Sequence, residues 1–134
     1  MNKIEHIGIA VKDLQDAKTK FEKLLGTKAY KEETVESEGV STLFFKVGEV
    51  KIELLQATKE DSAIAKFIEK RGEGIHHIAF DVDSVAEKTA ELTQEGFLVL
   101  NENPKAGADN KMINFVHPKS TNGVLVEMCQ DKDE

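Results

Sequence analysis

The chain has 134 residues, 40% of them hydrophobic, with 18 Lys and Arg against 25 Asp and Glu and a formal net charge of −7. That is enough apolar material for one domain with a real core, which excludes disorder as the default, and the acid excess argues against nucleic-acid binding, which needs a basic field to displace counterions. No apolar run approaches membrane-span length, no signal-peptide pattern is present, and the single cysteine, Cys129, rules out an internal disulfide framework, so a cytoplasmic location is expected.

Residues 3–11 alternate as a strand, with Ile7, Ile9 and Val11 on one face and Ile4, His6, Gly8 and Ala10 on the other. Asp13 is placed to cap a helix, with Asp16 in its first turn. Leu14, Ala17, Phe21, Leu24 and Leu25 recur at helical spacing until Gly26 stops the run. Residues 28–35 are mixed, with Tyr30 and Val35 as strand positions. Glu36 to Gly39 reads as a turn, and two strands follow, Val40 to Val47 and Val50 to Leu55. The first half is thus β-α-β-β-β. A connecting helix is expected over about residues 60–71, capped by Asp61 or Ser62, striped by Ala63, Ile64, Phe67 and Ile68, and ended by Gly72.

The second half follows the same scheme. A strand at 75–82 leads to the capping box Ser84–Glu87, a helix, and a stop at Gly96. Strands are expected at Phe97 to Leu100, Met112 to Val116 and Val124 to Cys129, with a breaker-rich loop from Asn103 to Asn110 and a turn from Pro118 to Gly123. Gln130 to Glu134 reads as a frayed charged tail.

The likeness between halves extends to side chains. Ile4–Val11 maps onto Ile75–Val82, 71 positions on, and Ile52-Glu53-Leu54-Leu55-Gln56 maps onto Val126-Glu127-Met128-Cys129-Gln130, 74 positions on. A period this long is a duplicated module rather than a solenoid repeat. The expected fold is α+β: one domain over 1–134, made of two tandem βαβββ modules (about 3–56 and 74–130) joined by a helix at about 60–72. Their strands form a curved mixed sheet around a metal cleft.

Strand parity selects the candidate ligands, because side chains alternate between the faces of a sheet. His6 opposes Ile7, Ile9 and Val11; His77 opposes Ile78, Phe80 and Val82; Glu53 opposes Val50, Ile52 and Leu54; Glu127 opposes Val124, Val126 and Met128. Any one such residue is ordinarily just solvated, but four at repeat-related positions with the same parity point to one site. Two imidazoles and two carboxylates suit a divalent ion such as Zn, Ni, Co or Mn. His76 fails the parity test, and His117, just before Pro118, reads as turn structure.

Several stretches carry a family resemblance across nearly the whole chain: Glu5-His6-Ile7-Gly8-Ile9-Ala10-Val11, Ile52-Glu53-Leu54-Leu55, Gly72-Glu73-Gly74-Ile75-His76-His77-Ile78-Ala79-Phe80, and His117-Pro118-Lys119-Ser120 running into Gly123-Val124-Leu125-Val126-Glu127. The chain resembles the vicinal-oxygen-chelate superfamily and, within it, the methylmalonyl-CoA epimerase family. The resemblance implies metal ligation by His6, Glu53, His77 and Glu127, an acyl-CoA or other thioester substrate, and often a homodimer. The acid excess and the lack of a spanning apolar run leave no nucleic-acid or membrane partner expected. Some epimerases carry a Glu, proposed as a base, where this chain has Thr42, and Thr42 can offer only a hydroxyl contact.

The reaction so implied inverts the carbon between a thioester carbonyl and a carboxylate, through an enolate held by the metal. Glu127 is the expected catalytic carboxylate. Lys119 and Ser120 are the first choice for substrate binding at the coenzyme A phosphates, with Lys105, Lys111 and Arg71 behind them. Two other functions fit the same fold. One is a glyoxalase I, which shares the ligand set but tends to an Asp-Pro-Asp-Gly turn in place of His117-Pro118-Lys119-Ser120. The other is a non-enzymatic small-molecule-binding protein, against which the intact set of four ligands argues.

Overall fold

In a computed structural model, which describes residues 1–132, three side chains mark where helices begin. Asp13 Oδ1 accepts from the Asp16 amide at 3.1 Å, Ser62 Oγ from Ala65 at 3.1 Å, and Ser84 Oγ from Glu87 at 3.1 Å. Each satisfies one of the amides a helix start leaves unpaired. They open α1 (Leu14–Leu25), α2 (Ala63–Arg71) and α3 (Val85–Gln94). The strands are β1 (Lys3–Ala10), β2 (Lys31–Val35), β3 (Val40–Val47), β4 (Val50–Ala57), β5 (Gly74–Asp81), β6 (Lys105–Ala106), β7 (Lys111–Val116) and β8 (Val126–Asp131). No helix among the described residues is long and apolar enough to cross a membrane.

The chain divides into two compact units, His6–His76 and Met1–Glu5 with His77–Glu134. In the first, the strand order is β2-β3-β4-β1, antiparallel except for the parallel pair β4-β1. One face carries Leu43, Phe45 and Leu54 beneath α1, whose Leu14 and Ala17 pack with Val11. The other carries Ala10, Val40 and Leu55, packed by Ile64 of α2. The two-residue alternation read in the sequence therefore separates two real packing faces.

The second unit repeats the plan as β5-β8-β7-β6, with β5-β8 parallel and the rest antiparallel. Val82, Val116 and Met128 pack with Val85 of α3, and Ala79, Ile113 and Cys129 form the other face. The first residues of the chain belong here: the Asn2 amide donates to the Asp81 carbonyl at 2.8 Å, and Asn2 Nδ2 reaches the carboxylates of Asp81 and Asp83 at 3.1 and 3.0 Å. The α+β architecture of paired βαβββ modules is as the sequence predicts.

The repeat also fastens each helix to its sheet. Gln56, at the end of β4, accepts from the Leu14 amide at 2.7 Å, and its counterpart Gln130 in β8 accepts from the Val85 amide at 2.6 Å. Gln130 and Asp131 are therefore strand, not frayed tail, and the Lys132 amide donates to the Asn110 carbonyl at 3.1 Å. Residues 133–134 of that predicted tail lie outside the described residues.

Two expectations about the second unit need correction. Phe97 to Leu100 is not a full strand: it meets β7 through one bridge, Val99 to Val116. Its flanking amides go partly to side chains, Leu98 to Ser120 Oγ at 2.9 Å and Asn101 to Asn114 Oδ1 at 3.2 Å, so no regular ladder extends. The loop after Asn103 instead contains β6, paired to β7 as Lys105 with Ile113 and Ala106 with Met112. Asp109 and Asn110, both at φ 57°, turn the chain between them. Gly107 allows the close approach, since a Cβ there would lie 2.7 Å from Ile113 Cδ1.

Asn114 is completely buried and holds this region together, donating to Thr89 Oγ1 at 3.0 Å and to the Asn101 carbonyl at 2.9 Å. Asn114→Ala strands several buried polar groups and should lower stability by about 2–3 kcal/mol. Gln130→Ala, which loses one helix-start contact, should cost about 1 kcal/mol. Urea denaturation midpoints measure both, and equal midpoints for the two variants would contradict this ranking.

Candidate metal centre

Within the first unit, β1 and β4 run parallel with Gly8 opposite Glu53, which puts His6 one rung back on the same face. His6 Nε2 lies 3.3 Å from Glu53 Oε1. Both residues are almost fully enclosed, at 5% and 4% exposure. On the neighbouring strand Phe44 is the cross-strand partner of Glu53, so Phe44 and Thr42 share that face.

The second unit reproduces the geometry. Ala79 stands opposite Glu127, His77 is one rung back, and His77 Nε2 lies 3.3 Å from Glu127 Oε1. Exposure is 4% and 5%. Phe115 is the cross-strand partner of Glu127, and its ring meets the His77 ring edge to face at 6.3 Å between centroids. Each histidine read from parity thus stands beside the glutamate of its own module.

The donor sets fit a divalent ion. Ligand atoms lie about 2.0–2.2 Å from zinc and similar ions, so two adjacent ligands of one ion stand about 3.0–3.5 Å apart. The 3.3 Å separation in each pair falls in that range. Nitrogen and carboxylate oxygen donors together suit the divalent first-row metals. Each pair offers two of the donors such an ion takes.

The remaining candidates are placed differently. His76 packs away from this site, edge to face on Phe67 at 5.0 Å. His117 is turn structure, as expected: its Nδ1 accepts from the Lys119 amide at 2.9 Å. Lys119 is exposed, whereas Ser120 Oγ is engaged by the Leu98 amide. Thr42 has no exposed surface, and its hydroxyl donates to the Glu33 carbonyl at 3.3 Å. Lys111 is also withdrawn from solvent, at 8% exposure, and pairs with Asp131 and, at 3.9 Å, with Glu5. It is therefore part of a buried ionic cluster and not a surface cation for phosphates.

That cluster is what sequence reasoning missed, although a signal was present. Glu5 falls in register with Ile7, Ile9 and Val11, and Lys111 with Ile113 and Phe115. A charge in phase with an apolar face signals a buried partner, because burying it alone is too costly. Cys129, which feels the charges of both, has no exposed surface. Burial above all, then the carboxylates of Glu127 and Glu5, raises its thiol well above the ordinary range. The thiol donates to the Phe80 carbonyl at 3.6 Å.

Residues 5–115 match the model of the Glyoxalase/Bleomycin resistance protein/Dioxygenase superfamily. The chain belongs to that superfamily. An uncharacterized protein of Bacillus subtilis (strain 168) is 41% identical to this superfamily member, over 100% of this chain and 96% of its own length. An ethylmalonyl-CoA/methylmalonyl-CoA epimerase of Cereibacter sphaeroides is 37% identical, over 97% of this chain and 98% of its own. Among solved structures, a variant of methylmalonyl-CoA epimerase from Streptomyces coelicolor in complex with 2-nitronate-propionyl-CoA superimposes with a TM-score of 0.94 at 35% identity, covering 98% of this chain and 95% of that one. The resemblance to the epimerases read from the sequence is borne out.

The enclosure of Cys129 gives a direct check. A thiol reagent at mildly alkaline pH should leave the native protein unlabelled over the time in which denatured protein reacts fully. Rapid labelling of native protein would show that this face opens freely.

Proposed function

We propose that this superfamily member epimerises methylmalonyl-CoA or a close acyl-CoA homologue, aided by one divalent ion held by His6, Glu53, His77 and Glu127. The observation that carries the proposal is the pair of enclosed His–Glu couples, each at 3.3 Å, in a chain 37% identical along nearly its whole length to an epimerase of such substrates. Each couple alone supplies too few ligands for a closed site, and the duplication supplies the second.

The hydrogen to be moved sits between a thioester carbonyl and a carboxylate and is too weakly acidic to leave unaided at neutral pH. When bound, the ion supplies a Lewis acid that stabilises charge developing on the thioester oxygen. Glu127 is assigned to proton removal; its enclosure weakens competing solvation of the carboxylate. Inversion needs a second group that returns a proton. Glu53 is assigned to it as the repeat counterpart of Glu127, because Thr42 is no acid and its hydroxyl is committed to a backbone carbonyl. Lys119, exposed in the His117–Ser120 turn, is assigned to a coenzyme A phosphate.

Metal-reconstituted protein should exchange the α-hydrogen of methylmalonyl-CoA with solvent deuterium. Glu127→Gln, loaded with metal, should lose about a hundredfold or more of that rate. Exchange retained in that variant would remove Glu127 from the role, and turnover confined to methylglyoxal with a thiol would replace the epimerase reading by a glyoxalase.

Ion binding has its own test. Reconstituted and dialysed protein should hold one divalent ion per chain, and His6→Ala and His77→Ala should each weaken it by about tenfold or more. Equal retention by both variants would dissolve the shared site.

A further inference from the structure

The two His–Glu couples are alike, but what stands beside them is not. In the second unit Lys105 of β6 pairs with Ile113 of β7. Cross-strand partners share a face, so Lys105 lies on the face that carries Ile113, Phe115 and Glu127. Its ammonium sits over the Phe115 ring, 5.8 Å from the centroid, and that ring in turn meets His77 at 6.3 Å. No more than the sum of those two separations lies between the ammonium and the imidazole. Lys105 is half-buried, so part of its rotamer freedom is already lost and its charge is partly dehydrated.

The corresponding position in the first unit carries the opposite charge. There Glu33 pairs with Thr42, as Lys105 pairs with Ile113, and Lys31 beside it lies 3.5 Å from the Glu33 carboxylate. The ring of Phe44, counterpart of Phe115, meets Tyr30 at 6.0 Å where Phe115 meets a cation. A substrate with a carboxylate at one end of its reacting unit and a thioester at the other needs such a difference to be held in one direction.

We propose that Lys105 binds the free carboxylate of the acyl group, which selects carboxylated acyl-CoAs over neutral ones and sets their direction. This rests on the acyl-CoA reading above. Phe115 acts as the platform that holds the ammonium, and Gly107, two residues on, allows β6 to lie close enough to β7 for it to do so.

The test is equilibrium binding to the metal-reconstituted full chain, using racemic methylmalonyl-CoA and propionyl-CoA, which differ only by the carboxylate. Lys105→Met, which keeps the apolar stem on Phe115, should weaken methylmalonyl-CoA about tenfold or more and leave propionyl-CoA unchanged. Lys105→Arg should restore most of the loss, and thermal midpoints should match the parent. Equal weakening of both ligands would place Lys105 at the coenzyme A phosphates and overturn the proposal, as would no weakening of either. Because the readout is binding, it survives failure of the epimerase reading: wild-type protein that prefers methylmalonyl-CoA without exchanging its α-hydrogen for solvent deuterium would reject the reaction but retain the role of Lys105.

Discussion

Enclosing a carboxylate within a sheet costs several kcal/mol unless a partner replaces its lost hydration, and this chain makes that placement at matched positions of its two modules, Glu53 and Glu127. In both cases the partner is an imidazole 3.3 Å away on the adjacent parallel strand. Two features of each module place that contact. The parallel pairing β1-β4, and β5-β8 in the other unit, requires a crossover, which α1 and α3 begin. The apolar face opposite each histidine gives the helix something to pack on.

The register that brings each couple together is held by a contact of modest size. Gln56 and Gln130 each stand three residues after the glutamate and accept from the first amide of the helix. A one-residue slip in β4 or β8 would turn the glutamate to the helix face and the glutamine away from its amide together. The same short segment thus carries the glutamate of a couple and the lock that keeps that glutamate facing its histidine. This explains why the repeat recurs as a five-residue string and not as an isolated glutamate.

Period-two patterning made most of this legible in the sequence. His6, His77, Glu53 and Glu127 were separable from His76 by parity alone, because hydrophobic neighbours report which face is packed. The segment after Gly96 was less legible. β6 is two residues long, too short for any periodicity, and Phe97 to Leu100 has strand composition but gives part of its hydrogen bonding to Ser120 and Asn114. Lys111 was misread for another reason. A lysine is exposed by default, and its burial depends on Asp131, its rung partner on β8, and on Glu5. Glu5 lies more than a hundred residues away in the chain, so although each charge falls in phase with an apolar face, nothing local identifies the partner it is buried against.

Duplication makes a symmetric pair of His–Glu couples easily, and beyond those couples the two copies diverge. The divergence falls on the strand at the far edge of each unit. β2 is five residues long and charge-paired within itself, whereas β6 is two residues and sets a lysine over an aromatic ring. Edge strands can change in this way at low cost, because they bond on one side only and support no further strand. The His–Glu couples sit on β1, β4, β5 and β8, which form the parallel pairs, and there a change of residue or register would cost both the couple and the helix lock. The fold therefore keeps its two His–Glu couples where alteration is most damaging and confines the divergence of its copies to the edges.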